Sequence, residues 1–168
     1  MDNLQSLVAA WLLMMGAHEG SHQMEADKQG VPMTWDKDGV WTAHTRDRDR
    51  LANVSGAGIR GQQSMVESLP QGDLKDNVTL MSALNKIMYA VKPTGFNLMA
   101  GEDSDPKKEP GGDTAMLNRL KPQNIMQPAL IASGLADLYK SQHPDTKWSL
   151  DFGQSQRGTP TLMYRRQW

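Results

Sequence analysis

The stretch NLQSLVAAWLLMMGAHEGSHQMEADKQG, residues 3–30, decides the reading of this chain. Its apolar part, Leu7 to Ala17, is too short to cross a bilayer as a straight helix, which takes about 20 residues. The only charge before that run is Asp2, where a secretory signal carries Lys or Arg. The run continues without a proline into AHEGSHQMEADK and meets Gly30, a residue suited to the left-handed position after a helix. We therefore expect one helix from Asn3 to Lys28. Leu4, Leu7, Val8, Trp11 and Met15 follow the three-four-seven spacing of an apolar face. His18, His22 and Glu25 extend that stripe, so the two histidines are expected to point inward.

Working outward, VPMTWDKDGVWTAH (Val31 to His44) is two short alternating runs about a glycine-closed turn, a hairpin pattern. Thr45 is placed to cap a helix over residues 46–69, which Pro70 stops. Asp76 or Asn77 is placed to cap a helix over Val78 to Val91, stopped by Pro93. Residues 92–124 read as a long Gly-, Pro- and charge-rich loop, with room for one helical turn at Thr114 to Leu120. Met126 to Gln142 is a further amphipathic helix. Residues 147–168 form a second hairpin about Gln154 to Pro160. The expectation is a single domain over 1–168, α+β and mainly helical: the long N-terminal helix, three further helices and two β-hairpins.

Composition narrows the chemistry. With 18 Lys and Arg against 19 Asp and Glu, net charge is −1, which argues against nucleic acid held on a broad basic face. The absence of cysteine excludes disulfides, thiolate metal sites and a cysteine nucleophile. Aromatic residues make up only 6% while 12 residues are methionine, so flexible side chains must fill much of the core.

His18-Glu19-Gly20-Ser21-His22 is H-E-x-x-H. On a helix, residues four apart lie one above the other. Two imidazoles so placed can each give a nitrogen to one Zn²⁺, the expected cofactor. Glu19 then lies beside the metal, able to take a proton from water whose pKa the metal lowers to about 7.

GAHEGSHQMEADKQGV, followed by a β-hairpin, resembles the active-site helix of zincin metallopeptidases, and is similar also to site-2-protease-like and other short membrane-associated zincins. The resemblance covers residues 16–31. It implies His18 and His22 as metal ligands and Glu19 as catalytic base. The QMEADKQ that follows His22 lacks the glycine and third histidine of the metzincins, and no transmembrane segment of a site-2 protease is present. A gluzincin takes its third ligand from a Glu on a following helix, for which Glu67 is the candidate. Asp113, in the GGD stretch, ranks with it; His44 follows, and His143 is a further histidine. Glu25 shares the helix face but lies a turn too far to bind the same ion, so it is expected in the shell around the ligands.

Other patterns carry less. Gly56 to Gly61 fits G-x-G-x-x-G, but RDRDRLANVS before it is no hydrophobic strand, so a dinucleotide site is rejected. The patch Ser55, Gly56, Ala57, Gly58 and Gly61 instead suits close approach of another backbone, with Ala17 and Gly20 of the first helix as its neighbour; a helix break near Gly56 is the alternative. Glu102 to Asp105 begins like a calcium loop, but Lys107 stands at a ligand position. Asp47 can meet Arg50 across one helical turn. YRRQW at the end reads as an edge strand blunted by charge.

Two functions follow as expectations. One is a small zincin-like, metal-dependent hydrolase, a peptidase acting on a peptide or protein substrate. The other is a structural subunit of a larger assembly, a virion for example, with an incidental H-E-x-x-H and protein partners that complete its core. No nucleic-acid partner is expected. Leu4 to Met15 offers a weak amphipathic membrane contact. The default location is the cytoplasm or the interior of a particle.

Overall fold

The structure, a computed structural model, describes residues 3–35, 37, 41–91, 120–121 and 125–166. The expected loop at 92–124, its helical turn and Asp113 therefore lie largely outside the described residues. The fold is α+β and mainly helical. Its elements are α1 (Asn3–Lys28), β1 (Met33–Trp35), β2 (Trp41–Ala43), α2 (Arg48–Ser68), α3 (Asp73–Val91), α4 (Met126–Gln142), β3 (Trp148–Gln154) and β4 (Pro160–Arg166). Each hairpin is antiparallel, with Trp35 opposite Trp41 in the first and Trp148 opposite Arg166 in the second.

The central element is α2. Every residue from Ala52 to Ile59 is buried, because other elements pack on it from several sides. The small residues make that possible. A Cβ on Gly61 would collide with Ser21 and the Ala17 carbonyl of α1, and one on Gly56 would collide with Gln154 of β3. Close approach to α1 is thus borne out at Ala17, whereas Gly20 faces outward with nothing within 4 Å of a Cβ built there. The helix runs unbroken through Gly56. Its N-cap is Asp47, not Thr45: the Asp47 carboxylate accepts from the Asp49 and Arg50 amides. Thr45 Oγ1 accepts from the Asp47 amide instead, shaping the turn just before the cap. Asp47 also pairs with Arg50 at 3.3 Å.

The apolar face expected on α1 is corrected. The buried positions are Ser6, Ala10, Met14, His18, His22 and Ala26, spaced by four. Leu4, Val8 and Trp11 are exposed, Leu4 by 71%. Apolar side chains occupy nearly every side of residues 4–15, so spacing alone selects no face. Small Ser6 and Ala10 allow the neighbouring helix axes to come close, and that packing decides the rotation. The histidines are buried as expected, at 2% and 0% exposure.

Helix α3 starts at Asp73, one residue after Gly72, earlier than the expected cap at Asp76 or Asn77. Asp73 and Asp76 both lie in its first turn, where carboxylates complement the helix dipole. Asn77 serves packing instead, donating to Ser6 Oγ at 2.7 Å. The core is divided among small clusters: Ile59, Met126, Leu130 and Phe152 with neighbouring alanines; Ala10, Val66 and Val78; and Ala26, Val31 and Val54 beneath the first hairpin. Between α3 and α4, the fully buried Lys86 ammonium donates to Asp137 at 2.7 Å and to Ser133 Oγ at 2.8 Å. Burial pushes the Asp137 carboxyl above its ordinary range, and the Lys86 charge pulls it back down.

Candidate metal centre

α1 and α2 run antiparallel where they meet, so His18 faces Gln62 and His22 faces Val54. His22 Nδ1 lies 2.7 Å from the Val54 carbonyl oxygen. A carbonyl only accepts, so Nδ1 carries a proton, and in the neutral ring the lone pair is then on Nε2. The two Nε2 atoms converge on Gly58. A Cβ placed there would stand 2.5 Å from His18 Nε2 and 2.6 Å from His22 Nε2. Glycine at 58 thus leaves room for both rings, which any larger residue would displace. The imidazoles meet edge to face at 4.9 Å between centroids.

Two aromatic rings hold them. Tyr89 at the end of α3 stacks on His18, the planes 3° apart and the centroids 5.7 Å apart. Trp41 of the first hairpin lies 4.8 Å from His22. On the far side of His18, Gln62 Nε2 sits 2.7 Å from Nδ1. Sequence reasoning missed Val54, Gly58, Gln62, Trp41 and Tyr89. Only Gly58 carried a signal, as part of the small-residue patch; the others come from three separate elements with no motif.

The donor set fits zinc in part. Two imidazole nitrogens aim toward Gly58, that of His18 with Tyr89 Oη 3.5 Å away, and His22 has its outer nitrogen fixed by a backbone carbonyl, as ligating histidines require. Among the described residues no group of three His, Cys, Asp or Glu side chains stands ready to hold a metal. Glu67 is not brought to the pair: it is an ion-pair partner of Arg165 at 3.2 Å. His44 bonds Thr34 Oγ1 at 2.8 Å on the first hairpin. His143 stacks on Tyr139, their centroids 4.1 Å apart. Packing explains these departures, since each candidate sits on an element whose contacts point elsewhere. Asp113 lies outside the described residues.

Glu19 is half-buried, one residue on from His18 and so about 100° further round α1. Glu25 pairs with Arg60 of α2 at 3.3 Å and with Lys28 at 3.7 Å. Desolvation lowers the Arg60 pKa, and the Glu25 charge opposes that fall. Glu25 therefore fastens the end of α1 to α2, one turn beyond His22. No described helix is long and apolar enough to cross a membrane. No protein-family model, curated protein or solved structure matches this chain.

Proposed function

We propose that this chain is a small zincin-like, metal-dependent hydrolase acting on peptide bonds, with His18 and His22 as ligands and Glu19 as base. The observation that supports it is the convergence of both Nε2 atoms over Gly58, with His22 oriented by the Val54 carbonyl. Zinc held there would polarise the scissile carbonyl and lower the pKa of water to about 7. Glu19 takes the proton as water adds its oxygen to the carbonyl carbon. It delivers that proton to the nitrogen as the C–N bond breaks, leaving a carboxylic acid and an amine. Both imidazoles are buried, so substrate entry requires covering groups, Trp41 and Tyr89 among them, to move.

The test is zinc analysis of the purified chain alongside peptide hydrolysis. About one zinc per chain is expected, and less than about 0.2 after gentle purification overturns the reading. Glu19→Gln should retain zinc while hydrolysis falls by about 100-fold or more. Unchanged turnover removes Glu19 from the chemistry.

A second reading, a structural subunit of a larger assembly, is favoured by one observation. Leu4, Val8, Trp11 and Leu12 are exposed on α1, and no Asp, Glu, Lys or Arg occurs from Asn3 to Ala17. Contiguous apolar surface of this kind marks interaction faces. Sedimentation over a range of concentrations should then show self-association that Val8→Glu with Leu12→Glu removes. A monomer throughout overturns this second reading.

A further inference from the structure

We propose that the cavity between the start of α3 and the turn from α4 into β3 binds a small phosphate ester that also carries hydroxyl groups. The cavity has a volume of about 290 Å³, at the small end of ligand sites. Its wall includes Lys75 and Asp76 from the first turn of α3 and Lys140 from the last turn of α4. Asp145 and Lys147, on the connection to β3, complete the charged part. None of the residues packed about His18 and His22 lines it, so this site is separate from the imidazole pair.

Three like charges drawn from three segments to one cavity repel one another. Other lysines of the described residues are neutralised: Lys28 pairs with Glu25, Lys86 with Asp137 and Lys121 with Asp49. Lys75, Lys140 and Lys147 pair with no carboxylate among the described residues, although two carboxylates line the same cavity. Lys75 Nζ donates to the Leu69 carbonyl oxygen at 3.0 Å, which steadies that ammonium and leaves it two further protons to give. Three lysines against two aspartates leave the wall positive. The adjoining end of α3 adds to that sign, because Gly72, whose carbonyl accepts from the Asp76 amide, has no side chain to cap it. A phosphate group supplies the counter-charge and the acceptor oxygens that these ammoniums lack. Bare phosphate would leave Asp145 unused. An ionised carboxylate only accepts, so Asp145 suits hydroxyl groups on the same ligand. Val66 and Pro144 give the carbon skeleton an apolar wall to lie against.

The experiment titrates the full chain with glycerol phosphate, inorganic phosphate and glycerol at fixed ionic strength, followed by amide ¹H and ¹⁵N shifts. Glycerol phosphate should give saturable shifts at residues 71–79 and 144–147, inorganic phosphate the same shifts with weaker affinity, and glycerol none. Shifts that do not saturate, or that spread over lysines outside the cavity, overturn the site. Lys140→Gln and Lys147→Gln change side chains that are not buried, so the fold should persist. Each should weaken glycerol phosphate by about 10-fold, the worth of one charge-assisted hydrogen bond. Lys37→Gln, which is exposed and does not line the cavity, should leave affinity unchanged. Equal effects of the three substitutions overturn the site as well. Asp145→Asn should narrow the preference for glycerol phosphate over inorganic phosphate. An unchanged preference, or none in the wild type, overturns the assignment of an ester with hydroxyl groups.

Discussion

His22 Nδ1 and the Val54 carbonyl oxygen lie 2.7 Å apart in the core, so the outer nitrogen of this imidazole donates to the backbone of α2. The carbonyl belongs to α2, in a buried stretch that cannot shift without disturbing three neighbouring elements. The Nε2 edge of His22 is therefore held over Gly58 by the core itself.

Gly58→Ala should abolish zinc binding. The added methyl meets His18 Nε2, His18 Cε1 and His22 Nε2 within 2.5–2.6 Å. The rings, backed by Tyr89 and Trp41, must move. Alanine gains about 1 kcal/mol of helix propensity, but overpacking of this kind costs about 1–3 kcal/mol. Zinc titration and chemical denaturation should show lost binding with little or no gain in stability.

Two helix glycines, Gly20 on the outer side of α1 and Gly61 on the face of α2 that meets α1, should respond with opposite sign. Gly20→Ala meets nothing within 4 Å and should stabilise by about 1 kcal/mol. Gly61→Ala drives a methyl into the Ala17 carbonyl and Ser21, and should destabilise by about 1–3 kcal/mol. Urea midpoints of the two variants would measure this directly. A destabilised Gly20→Ala would contradict the outward orientation of that face of α1.

Lys86→Met should be among the most damaging single changes. It leaves the Asp137 carboxylate buried without its cation, a loss of about 3–5 kcal/mol. Replacing both partners, as Lys86→Met with Asp137→Leu, should recover most of that loss, because no uncompensated charge remains. Thermal and urea unfolding of the single and double variants separates the two effects.

Asp137 should titrate above 3.8, chiefly because burial disfavours its ionised form. The sign follows. A native carboxyl with a raised pKa holds its proton when the unfolded chain has already released its own. This group's contribution to stability is therefore fully present below 3.8 and is lost as pH rises through the native value. A ¹³C titration of the Asp137 carboxyl checks it, and a midpoint at or below 3.8 would contradict the cause.

The elements were legible because their signals are local. Gly30, with φ of 62°, ends α1 at Lys28 where a left-handed residue was needed. The bounds of α4 and the turn of the second hairpin also follow from nearby residues. The small-residue patch announced a close helix contact, and Gly58 and Gly61 supply it. Less local features were misread. Thr45 and Asp47 compete for one cap, and geometry prefers the side chain that reaches two amides. Leu4, Val8 and Trp11 form a plausible inner face until Ser6 and Ala10 are seen to let the helices nearer.

By itself, then, the sequence determined the mainly helical fold, the helix that carries H-E-x-x-H, and the stacking of His18 and His22 on one face. Those properties depend on residues within a few turns of one another. Only the tertiary structure decided which face of α1 is buried, that Gly58 lies between the imidazoles, and that Val54, Gln62, Trp41 and Tyr89 surround them. These residues are tens of positions from the histidines, and no periodicity links them. Their meeting is set by how closely small side chains let α1 and α2 pack, a balance of shape across the whole core.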